Sequence, residues 1–341
     1  MPEMMKASLW MGPEQVEFKE IERPTAGKRK ALIKVAYGGI CGTDQMIYLG
    51  KHPRAAAPLV MCHEFAGTIV EADGDAFAPG TPVAINPLYS CGVCHACRKG
   101  LAYVCANLKL VGIDCDGGFA EYCSVPLHTV RPVPESLPMV EASLIEPLAV
   151  GVHAVHASDL KVGDVTAVLG AGPIGMMTAQ VARLAGAQRV FVTELSPKRV
   201  EIARELGFDV IDVSKENPVE VILEATDGAG VPVVFETAGV QPTLDAATKV
   251  AQIYGQILQV GMPKTPPTVD MVDLLFREIS RRPIRVYRES DFDLAIAIAA
   301  SGKLDLRKTV SHIMPLTELE DAMEIAHAAV DSCKILMDPS A

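Results

Sequence analysis

Hydrophobic and polar positions alternate in short runs along the first third of the chain. Between Lys6 and about Arg131, apolar stretches such as 31–37 and 81–85 are separated by turns that contain glycine and proline. Runs of about four to eight residues with frequent turn signals are typical of β-strands. The pattern predicts a small, irregular β-barrel in this region.

A second pattern begins near Val162, where strand-like apolar runs alternate with stretches whose apolar residues recur every three or four positions. The first such stretch follows the strand 165–169 and places Ile174, Met177 and Val181 on one helix face. This alternation is typical of a parallel, doubly wound α/β sheet with helices on both faces. The predicted strands of that sheet are 165–169, 189–193, a short piece near 210, 231–236 and 256–260.

The length of the chain indicates two domains, because 341 residues exceed what one hydrophobic core usually holds. The pattern changes again after about Val286, and we expect the last strand to return to the first domain. The predicted elements of this last part are helices at 292–301 and 316–329 and strands at 309–314 and 334–337.

Composition narrows the functional classes. The formal net charge is −11, whereas nucleic acids and anionic membranes are bound through clustered basic residues, so neither is an expected partner. The first ten residues lack the apolar core of a signal peptide, and no apolar run approaches the ~20 residues of a membrane span. Nine cysteines without a secretory signal indicate a reducing compartment. We therefore expect a soluble, cytoplasmic protein that binds metal through thiols.

Four of the cysteines, Cys91, Cys94, Cys97 and Cys105, lie within fifteen residues in the spacing C-x2-C-x2-C-x7-C. Thiolates are good zinc ligands, and a turn-rich loop can place four of them around one ion. Local disulfides are disfavoured because Cys-x2-Cys spacing is awkward for a bridge and nothing marks a secreted chain. The pattern predicts a structural zinc site, since four protein ligands leave no position for a substrate.

A glycine-rich segment, Gly170-Ala-Gly172-Pro173-Ile174-Gly175, follows a predicted strand and opens a predicted helix. In this context the glycines permit a tight turn, close approach of the backbone to a pyrophosphate, and close packing of helix on strand. The helix N-terminus then presents free N–H groups and a positive dipole to the phosphates. The segment predicts a dinucleotide site, with a glycine-rich turn that binds no nucleotide as the alternative.

An acidic residue, Glu194, stands at the end of the second predicted strand, nineteen positions beyond the last glycine of the segment. A carboxylate there accepts hydrogen bonds from the adenosine ribose and repels a 2′-phosphate, so NAD is favoured over NADP. Lys198 and Arg199 follow closely, and their charge could tolerate a phosphate. We also place Arg199, together with Val260 and Gly261 at the end of the fifth predicted strand, in the cofactor site.

A few isolated residues are candidates for catalysis, although each is unremarkable alone. A lone cysteine such as Cys41 is most often a small buried residue, and a lone histidine such as His63 is usually structural. Glu64 follows His63 directly, and Glu146 lies among apolar neighbours. A carboxylate in such surroundings needs a partner or a metal.

Taken together, these motifs resemble one family, the zinc-dependent medium-chain alcohol and polyol dehydrogenases, and within it the sorbitol, threonine and butanediol dehydrogenase branch. The resemblance covers essentially the whole chain. It implies a GroES-like β-barrel catalytic domain over 1–146 and 287–341 and a Rossmann NAD-binding domain over 147–286. The motifs that carry it are Gly39-Ile-Cys41-Gly-Thr-Asp44, His63-Glu64-x-x-Gly67, the four-cysteine loop, Glu146-Pro-Leu148 and the glycine-rich segment.

The resemblance also implies the chemistry. Cys41, His63 and Glu64 are carried over as ligands of a catalytic zinc with an open position, and Thr43 as the hydroxyl that accepts the alcohol proton. Glu146 matches a carboxylate beside the metal that can replace Glu64. The zinc acts as a Lewis acid on the substrate oxygen while a hydride passes between NAD and a secondary alcohol or polyol. With the four-cysteine site, this implies about two zinc ions per chain, and the family suggests a homotetramer or homodimer.

The chain departs from the family close to these ligands. Met46 stands where many relatives have the histidine that ends the proton relay, and a thioether cannot carry protons. Water, or a route through the two glutamates, would have to serve, and Met46 weighs against threonine as substrate. Cys62 replaces the usual glycine before His63, where a buried spacer is favoured over a fourth ligand. Asp44 is expected to orient the ring of His63.

Other functions are alternatives to this one. Activity like that of L-threonine 3-dehydrogenase or butanediol dehydrogenase belongs to the same branch. A zinc-free, NADPH-linked enone or quinone reductase would lack the cysteine loop and the set of cysteine, histidine and glutamate ligands. A non-enzymatic, zinc-binding nucleotide sensor is disfavoured by the net charge of −11 and by the open ligand set.

Overall fold

A computed structural model describes residues 2–74 and 76–341 of the chain. Among these residues, no helix has the length and the apolar character needed to cross a membrane. The chain forms two compact units. The first contains the chain up to Glu146, Arg288–Gly302 and Val310–Ala341, and the second contains Pro147–Tyr287 and Lys303–Thr309.

Both units contain strands and helices. The strands are β1 (Met4–Gly12), β2 (Gln15–Glu22), β3 (Lys30–Gly39), β4 (Leu59–Val60), β5 (Glu64–Ala72), β6 (Pro82–Ile85), β7 (Leu88–Tyr89), β8 (Lys109–Leu110), β9 (Tyr122–Pro126), β10 (Val130–Pro132), β11 (Val165–Leu169), β12 (Arg189–Glu194), β13 (Asp209–Asp212), β14 (Val231–Glu236), β15 (Ala251–Gln259), β16 (Ser280–Pro283), β17 (Val310–Pro315) and β18 (Lys334–Asp338). The helices are α1 (Gly42–Tyr48), α2 (His95–Arg98), α3 (Met139–Ala142), α4 (Ile145–His156), α5 (Pro173–Leu184), α6 (Pro197–Glu205), α7 (Pro218–Glu224), α8 (Gln241–Val250), α9 (Met271–Phe276), α10 (Glu289–Ala300) and α11 (Leu319–Ala328). Turns of 3-10 helix cover Ala102–Val104, Leu127–Thr129, Arg307–Thr309 and Leu316–Glu318.

The first unit is built mainly on antiparallel strand pairs. One sheet has the order β10-β6-β5-β3-β18-β17, with β9 also paired to β3, and another has the order β2-β1-β4. In β3, Ile33 and Val35 on one face are buried in the core. On the other face Lys30 and Lys34 are exposed, while Leu32 between them is buried. Because β18 pairs antiparallel with β3, the end of the chain returns to this unit.

The second unit contains one sheet of parallel strands in the order β13-β12-β11-β14-β15-β16. Its central strands are apolar on both faces. Phe191, Val234 and Ile257 lie in the core on one face, and their neighbours on the other face, Val192, Phe235 and Leu258, are buried as well. The predicted doubly wound sheet is therefore confirmed, and β11 and β14 have the predicted bounds.

Several elements differ from the predictions, among them β15, α1 and β16. β15 begins at Ala251, directly after α8, rather than at residue 256. α1 follows Cys41 in a segment with no predicted helix, and the carboxylate of Asp44 stabilises its first turn by accepting the N–H of Cys41 at 2.8 Å. β16 consists of Ser-Arg-Arg-Pro, a polar sequence without the apolar alternation of a strand, and forms through pairing with β15.

The close packing of β5 on β3 requires a glycine at position 67. A Cβ atom on Gly67 would lie 2.0 Å from the carbonyl oxygen of Lys34 and 3.0 Å from Cγ2 of Ile33. The carbonyl belongs to the strand backbone, so it cannot move aside without breaking the pairing of β3 with β5. This contact is the physical reason for the glycine in the motif His63-Glu64-x-x-Gly67.

We expect Gly67→Ala to lower the free energy of unfolding by about 3 kcal/mol, because the new methyl group overlaps the backbone of β3. Urea titration followed by the fluorescence of Trp10, the single tryptophan of the chain and a core residue of this unit, measures the change. Gly42→Ala is the matched control, since a Cβ there meets nothing within 4 Å. Equal midpoints for the two variants would contradict the packing argument.

Candidate metal centre and cofactor-binding loop

Two neighbouring strands bring the candidate metal ligands together. Gly39, the last residue of β3, pairs with Glu64, the first residue of β5. Cys41 follows β3 by two residues and His63 immediately precedes β5, so the three side chains meet at this end of the strand pair. One ligand atom each of Cys41, His63 and Glu64 lies within 4.8 Å of the other two.

Within this cluster His63 and Glu64 are buried and Cys41 is half-buried, and the cluster is rich in negative charge. Burial and the charge of Glu64 raise the pKa of the Cys41 thiol above its ordinary value. Burial alone would lower the pKa of His63, but the charge of Cys41, together with that of Asp44, raises it well above its ordinary value. A divalent cation would offset the charge of a thiolate and a carboxylate held this close together. The donor set therefore fits a zinc ion.

Asp44 ties the two ligand-bearing segments to each other. Its Oδ2 accepts a hydrogen bond from the N–H of Cys41 at 2.8 Å, and its Oδ1 accepts one from the N–H of Cys62 at 3.3 Å. Oδ1 also lies 3.9 Å from Nδ1 of His63, a buried nitrogen without a hydrogen-bond partner in the part of the chain that the structure describes. The Nδ1 side of the ring therefore faces Asp44, and Nε2 is left for an ion.

Thr43 and Glu146, the other predicted catalytic residues, relate differently to the cluster. The Cys41 thiol donates a hydrogen bond to Oγ1 of Thr43 at 3.8 Å. Glu146, in α4, is buried, and its charge contributes to the raised pKa of His63. The ligand atoms that lie within 4.8 Å of one another among residues 2–74 and 76–341 do not include its carboxylate. Thr43 thus contacts a candidate ligand, whereas Glu146 acts on the cluster through its charge.

Cys62 occupies a backbone conformation that favours glycine. Its φ angle is 82° and its side chain is buried. Its Sγ lies 3.6 Å from the carbonyl oxygen of Gly39 and 3.4 Å from that of Glu64, so the thiol points to backbone. Burial raises the pKa of this thiol well above its ordinary value. These contacts support the interpretation of Cys62 as a buried spacer.

Lys334 is a member of this centre that the sequence analysis missed. It begins β18 and is buried, yet its Nζ donates a hydrogen bond to the carbonyl oxygen of Ile40 at 2.8 Å and another to the carboxylate of Glu64. The available signal was a lysine at the head of an otherwise apolar strand, because a buried ammonium group needs a partner.

The four cysteines of the predicted structural site form a second cluster. The sulfur atoms of Cys94 and Cys97 are 3.5 Å apart, those of Cys94 and Cys105 3.8 Å, and those of Cys105 and Cys91 3.5 Å. A tetrahedral zinc with Zn–S bonds of about 2.3 Å places its sulfur ligands about 3.8 Å apart. Hydrogen bonds from the backbone N–H groups of Cys97 and Ala106 lower the pKa of Cys94 to about 6, which favours the thiolate. The geometry fits a four-thiolate zinc site.

The glycine-rich segment forms the turn between β11 and α5. Gly170 has a φ angle of 106°, and Gly172 caps α5, whose first residues are Pro173 and Ile174. A Cβ on Gly175 would lie 1.9 Å from the carbonyl oxygen of Gly170, so helix and strand approach too closely for any side chain. The N-terminus of α5 stands at this turn, an arrangement that binds phosphate.

Glu194 stands at the end of β12, beside this turn. Its carboxylate accepts hydrogen bonds from the N–H groups of Ala171 at 2.9 Å and of Leu195 at 2.7 Å. The bond to Ala171 holds the turn in place, a structural role that the sequence did not indicate. Nη1 of Arg199 lies 3.8 Å from the position of a Cβ on Gly172, so a cation also borders the turn.

Val260 and Gly261 follow β15 and are fixed by the neighbouring strand β14. Both N–H groups donate to the carbonyl oxygen of Glu236 at 2.8 Å. The buried carboxylate of Glu236 accepts the N–H groups of Ala238 at 3.0 Å and Gly239 at 2.8 Å. Loops at the carboxyl ends of parallel strands bind ligands in open α/β sheets. Glu236 was not predicted because, unlike Glu194, it does not stand at the spacing from the glycine-rich segment that marks a ribose-binding residue.

Two family profiles match the chain. The alcohol dehydrogenase GroES-like domain matches residues 27–135, and the zinc-binding dehydrogenase profile matches residues 173–301. The first match confirms the GroES-like fold that the resemblance implied for the N-terminal part of the chain. The second begins at Pro173, within the glycine-rich segment, and covers strands β12 to β16 of the parallel sheet.

Individual relatives agree with these matches. The 2-dehydro-3-deoxy-L-galactonate 5-dehydrogenase of Pseudoalteromonas atlantica is 36% identical over 93% of each chain. The sorbitol dehydrogenase of Bacillus subtilis is 31% identical over 99% of this chain and 98% of its own. A zinc-binding dehydrogenase of Sinorhizobium meliloti, solved with bound NADP, is 33% identical over 99% of this chain and 100% of its own, with a TM-score of 0.94. The chain belongs to the zinc-binding medium-chain alcohol and polyol dehydrogenases, which are oxidoreductases that act on CH–OH groups.

Proposed function

We propose that the protein oxidises a secondary alcohol or polyol with NAD at a centre that holds a catalytic zinc. The observation that carries this proposal is the cluster of Cys41, His63 and Glu64, whose ligand atoms lie within 4.8 Å of one another in buried, anionic surroundings. Three protein ligands with an open fourth position are typical of catalytic zinc sites. The turn at the head of α5 supplies the dinucleotide site that the reaction also needs.

Within this proposal each side chain of the cluster has a defined task. Cys41, Glu64 and His63, through Nε2, would hold the ion, and Asp44 would fix the ring of His63 from its Nδ1 side. A bound zinc supplies a Lewis acid to the substrate oxygen. Glu146, whose charge acts on His63, is the carboxylate that could replace Glu64 beside the metal.

Thr43 would accept the proton of the substrate hydroxyl. Its Oγ1 contacts Sγ of Cys41, so the hydroxyl lies at the cluster. Met46, in the same helix, cannot pass the proton on because a thioether does not carry protons. Water, or a route through Glu64 and Glu146, would complete the transfer. The absence of a histidine at Met46 also disfavours L-threonine as substrate.

We assign NAD as the preferred cofactor because of Glu194. Its carboxylate is fixed beside the glycine-rich turn by the N–H of Ala171, where it would meet a 2′-phosphate with like charge. The positive charge of Arg199 would instead attract a 2′-phosphate, and the Sinorhizobium meliloti relative holds NADP. The carboxylate dominates in our proposal because it stands at the strand end that faces the ribose in such folds.

The relatives support a polar substrate. Both a deoxygalactonate derivative and sorbitol carry a secondary hydroxyl beside other polar groups, and dehydrogenases named for each resemble this chain along most of its length. We therefore propose a polyol or sugar acid, with butanediol-type and threonine-type alcohols as alternatives. A panel of such alcohols, assayed by NADH formation, identifies the class.

The four-cysteine loop would hold a second zinc, which stabilises its own lobe and takes no part in catalysis. Thiolates that must stay reduced to bind metal are suited to a reducing compartment, so we propose a cytoplasmic location.

An exposed apolar surface in the second unit supports the proposal of a homodimer or homotetramer. Tyr254 lies next to the end of α9, because its N–H donates to the carbonyl oxygen of Arg277 at 2.8 Å. β16, the edge strand of the sheet, follows α9 closely. Exposed apolar patches of this kind mark contacts between chains. The surface consists of Ile253, Tyr254, Met271, Val272, Leu275 and Phe276.

We expect wild-type protein to contain about two zinc ions per chain and His63→Ala to contain about one, because only the open site loses a ligand. The variant should show no alcohol oxidation above background while it still binds NADH. Metal analysis, turnover assays and fluorescence titration with NADH measure the three quantities. Cys94→Ser is the companion variant and should lose the other zinc. Retained turnover in His63→Ala would show that the metal assignment is wrong.

Glu194→Gln should lower the ratio of kcat/KM with NAD to kcat/KM with NADP by about tenfold or more, because the repulsion of the 2′-phosphate is lost. The amide oxygen of glutamine can still accept the N–H of Ala171, so the turn should keep its shape. Glu205→Gln, an exposed change on α6, is the control. An unchanged ratio in Glu194→Gln would remove the role assigned to this carboxylate.

Phe276→Asp should lower the molecular mass measured by light scattering to that of a smaller assembly, because an ionised carboxylate cannot be buried in an apolar contact. Phe276 is 78% exposed in the isolated chain. Val162→Asp, at a position 85% exposed elsewhere in the same unit, is the control and should leave the mass unchanged. Monomeric wild-type protein at micromolar concentration would contradict the proposal.

A further inference from the structure

Lys334 places a full positive charge inside the metal centre. It is 1% exposed, and the three residues that follow it in β18 belong to the buried interior of the first unit. Burial of an ammonium group is costly unless it is paired and hydrogen-bonded. Its Nζ meets that condition, since it donates to the carbonyl oxygen of Ile40 and to Oε2 of Glu64.

β3, the strand that pairs with β18, leaves room for this ion pair at Gly39. A Cβ on Gly39 would lie 2.7 Å from Cε of Lys334 and 2.9 Å from Oε2 of Glu64. The backbone of Gly39 does not have a positive φ angle, so its conformation does not require glycine. The space for the lysine and the glutamate does require it, which connects the first glycine of the family motif to the Lys334–Glu64 pair.

The pair restricts how Glu64 can reach an ion. Oε2 is engaged by the ammonium group, which leaves Oε1 as the oxygen free of that charge-assisted bond. The ammonium also offsets part of the negative charge that Cys41, Glu64 and the neighbouring Asp44 carry. Both effects weaken the attraction between the cluster and a cation. The bond to Oε2 also keeps that oxygen from filling a second coordination position.

We propose that Lys334 is a positioning residue that limits Glu64 to one metal-facing oxygen and so keeps the ion's remaining position open for substrate; this rests on the function proposed above. With Lys334 present, the site binds the ion less tightly, but the ion stays accessible to substrate. A merely structural ion pair would make a different prediction, because loss of a buried partner damages the site and weakens metal binding and turnover together.

Lys334→Met separates these two roles. We expect it to bind Co²⁺ at the Cys41 site about tenfold more tightly, because a repelling charge is removed and a second oxygen of Glu64 is released. Its visible d–d absorption should change with the new ligand atom, and the turnover of the loaded enzyme should fall. The affinity for Co²⁺ is measured by competition with a chelator, in protein whose four-cysteine loop keeps its zinc. His63→Ala, treated with Co²⁺ in the same way, gives the background absorption of any Co²⁺ that enters the four-cysteine loop.

Matched variants test the direction of the effect. Lys334→Arg keeps the positive charge and should retain an affinity and a spectrum close to those of wild type. Lys34→Met, an exposed change on β3, should alter neither quantity. Lys334→Gln keeps a hydrogen-bond donor without the charge, and should bind Co²⁺ more tightly than wild type. It serves as the test if Lys334→Met does not fold.

The outcomes distinguish the two levels of the proposal. If wild type takes up no more Co²⁺ than His63→Ala, the metal centre itself is refuted. If wild type binds Co²⁺ there but the neutral variants bind it equally or more weakly, or show the wild-type spectrum, only the role of Lys334 is refuted. Tighter binding combined with lower turnover supports it.

Discussion

The pairing of β3 with β5 is the interaction on which the candidate metal centre depends. Its register sets Gly39 opposite Glu64, and that single relation brings Cys41 and His63 to the same place. A shift of one residue would turn every side chain of β5 to the other face and separate the ligands. Gly67 fixes the closeness of the two strands, because only hydrogen fits against the backbone of β3. β18 then joins β3 and delivers Lys334 to Glu64.

Features that depend on local sequence were predictable. The four-cysteine loop and the turn from Gly170 to Gly175 both lie within short segments whose spacing is itself the chemical requirement. The parallel sheet was predictable for a related reason, since buried strands are continuous apolar runs that contrast with the helices between them. Family resemblance supplied the link between Cys41, His63 and Glu64, which spacing alone would have left as three unrelated residues.

Features that depend on distant pairing were not predictable. Lys334 and Glu64 are 270 positions apart, so no local pattern relates them. β16 is a strand only because β15 offers it a partner, and its polar sequence gives no sign of that. Glu194 shows an intermediate case: its place beside the turn follows from the motif, whereas its bond to Ala171 is visible only in the fold.

The two candidate metal-binding clusters differ in a way that suits the tasks proposed for them. The four sulfurs of the cysteine loop come from one short segment with backbone N–H groups directed at the thiolates, so that site closes on itself. The cluster of Cys41, His63 and Glu64 is assembled from separate strands and surrounded by charges that act on it, among them Asp44 and Lys334. When a site is built from distant segments, each segment can change the charge or the position of the ligand residues. The catalytic role proposed for the second cluster would need such adjustment, because a catalytic ion must be held firmly and still accept a substrate.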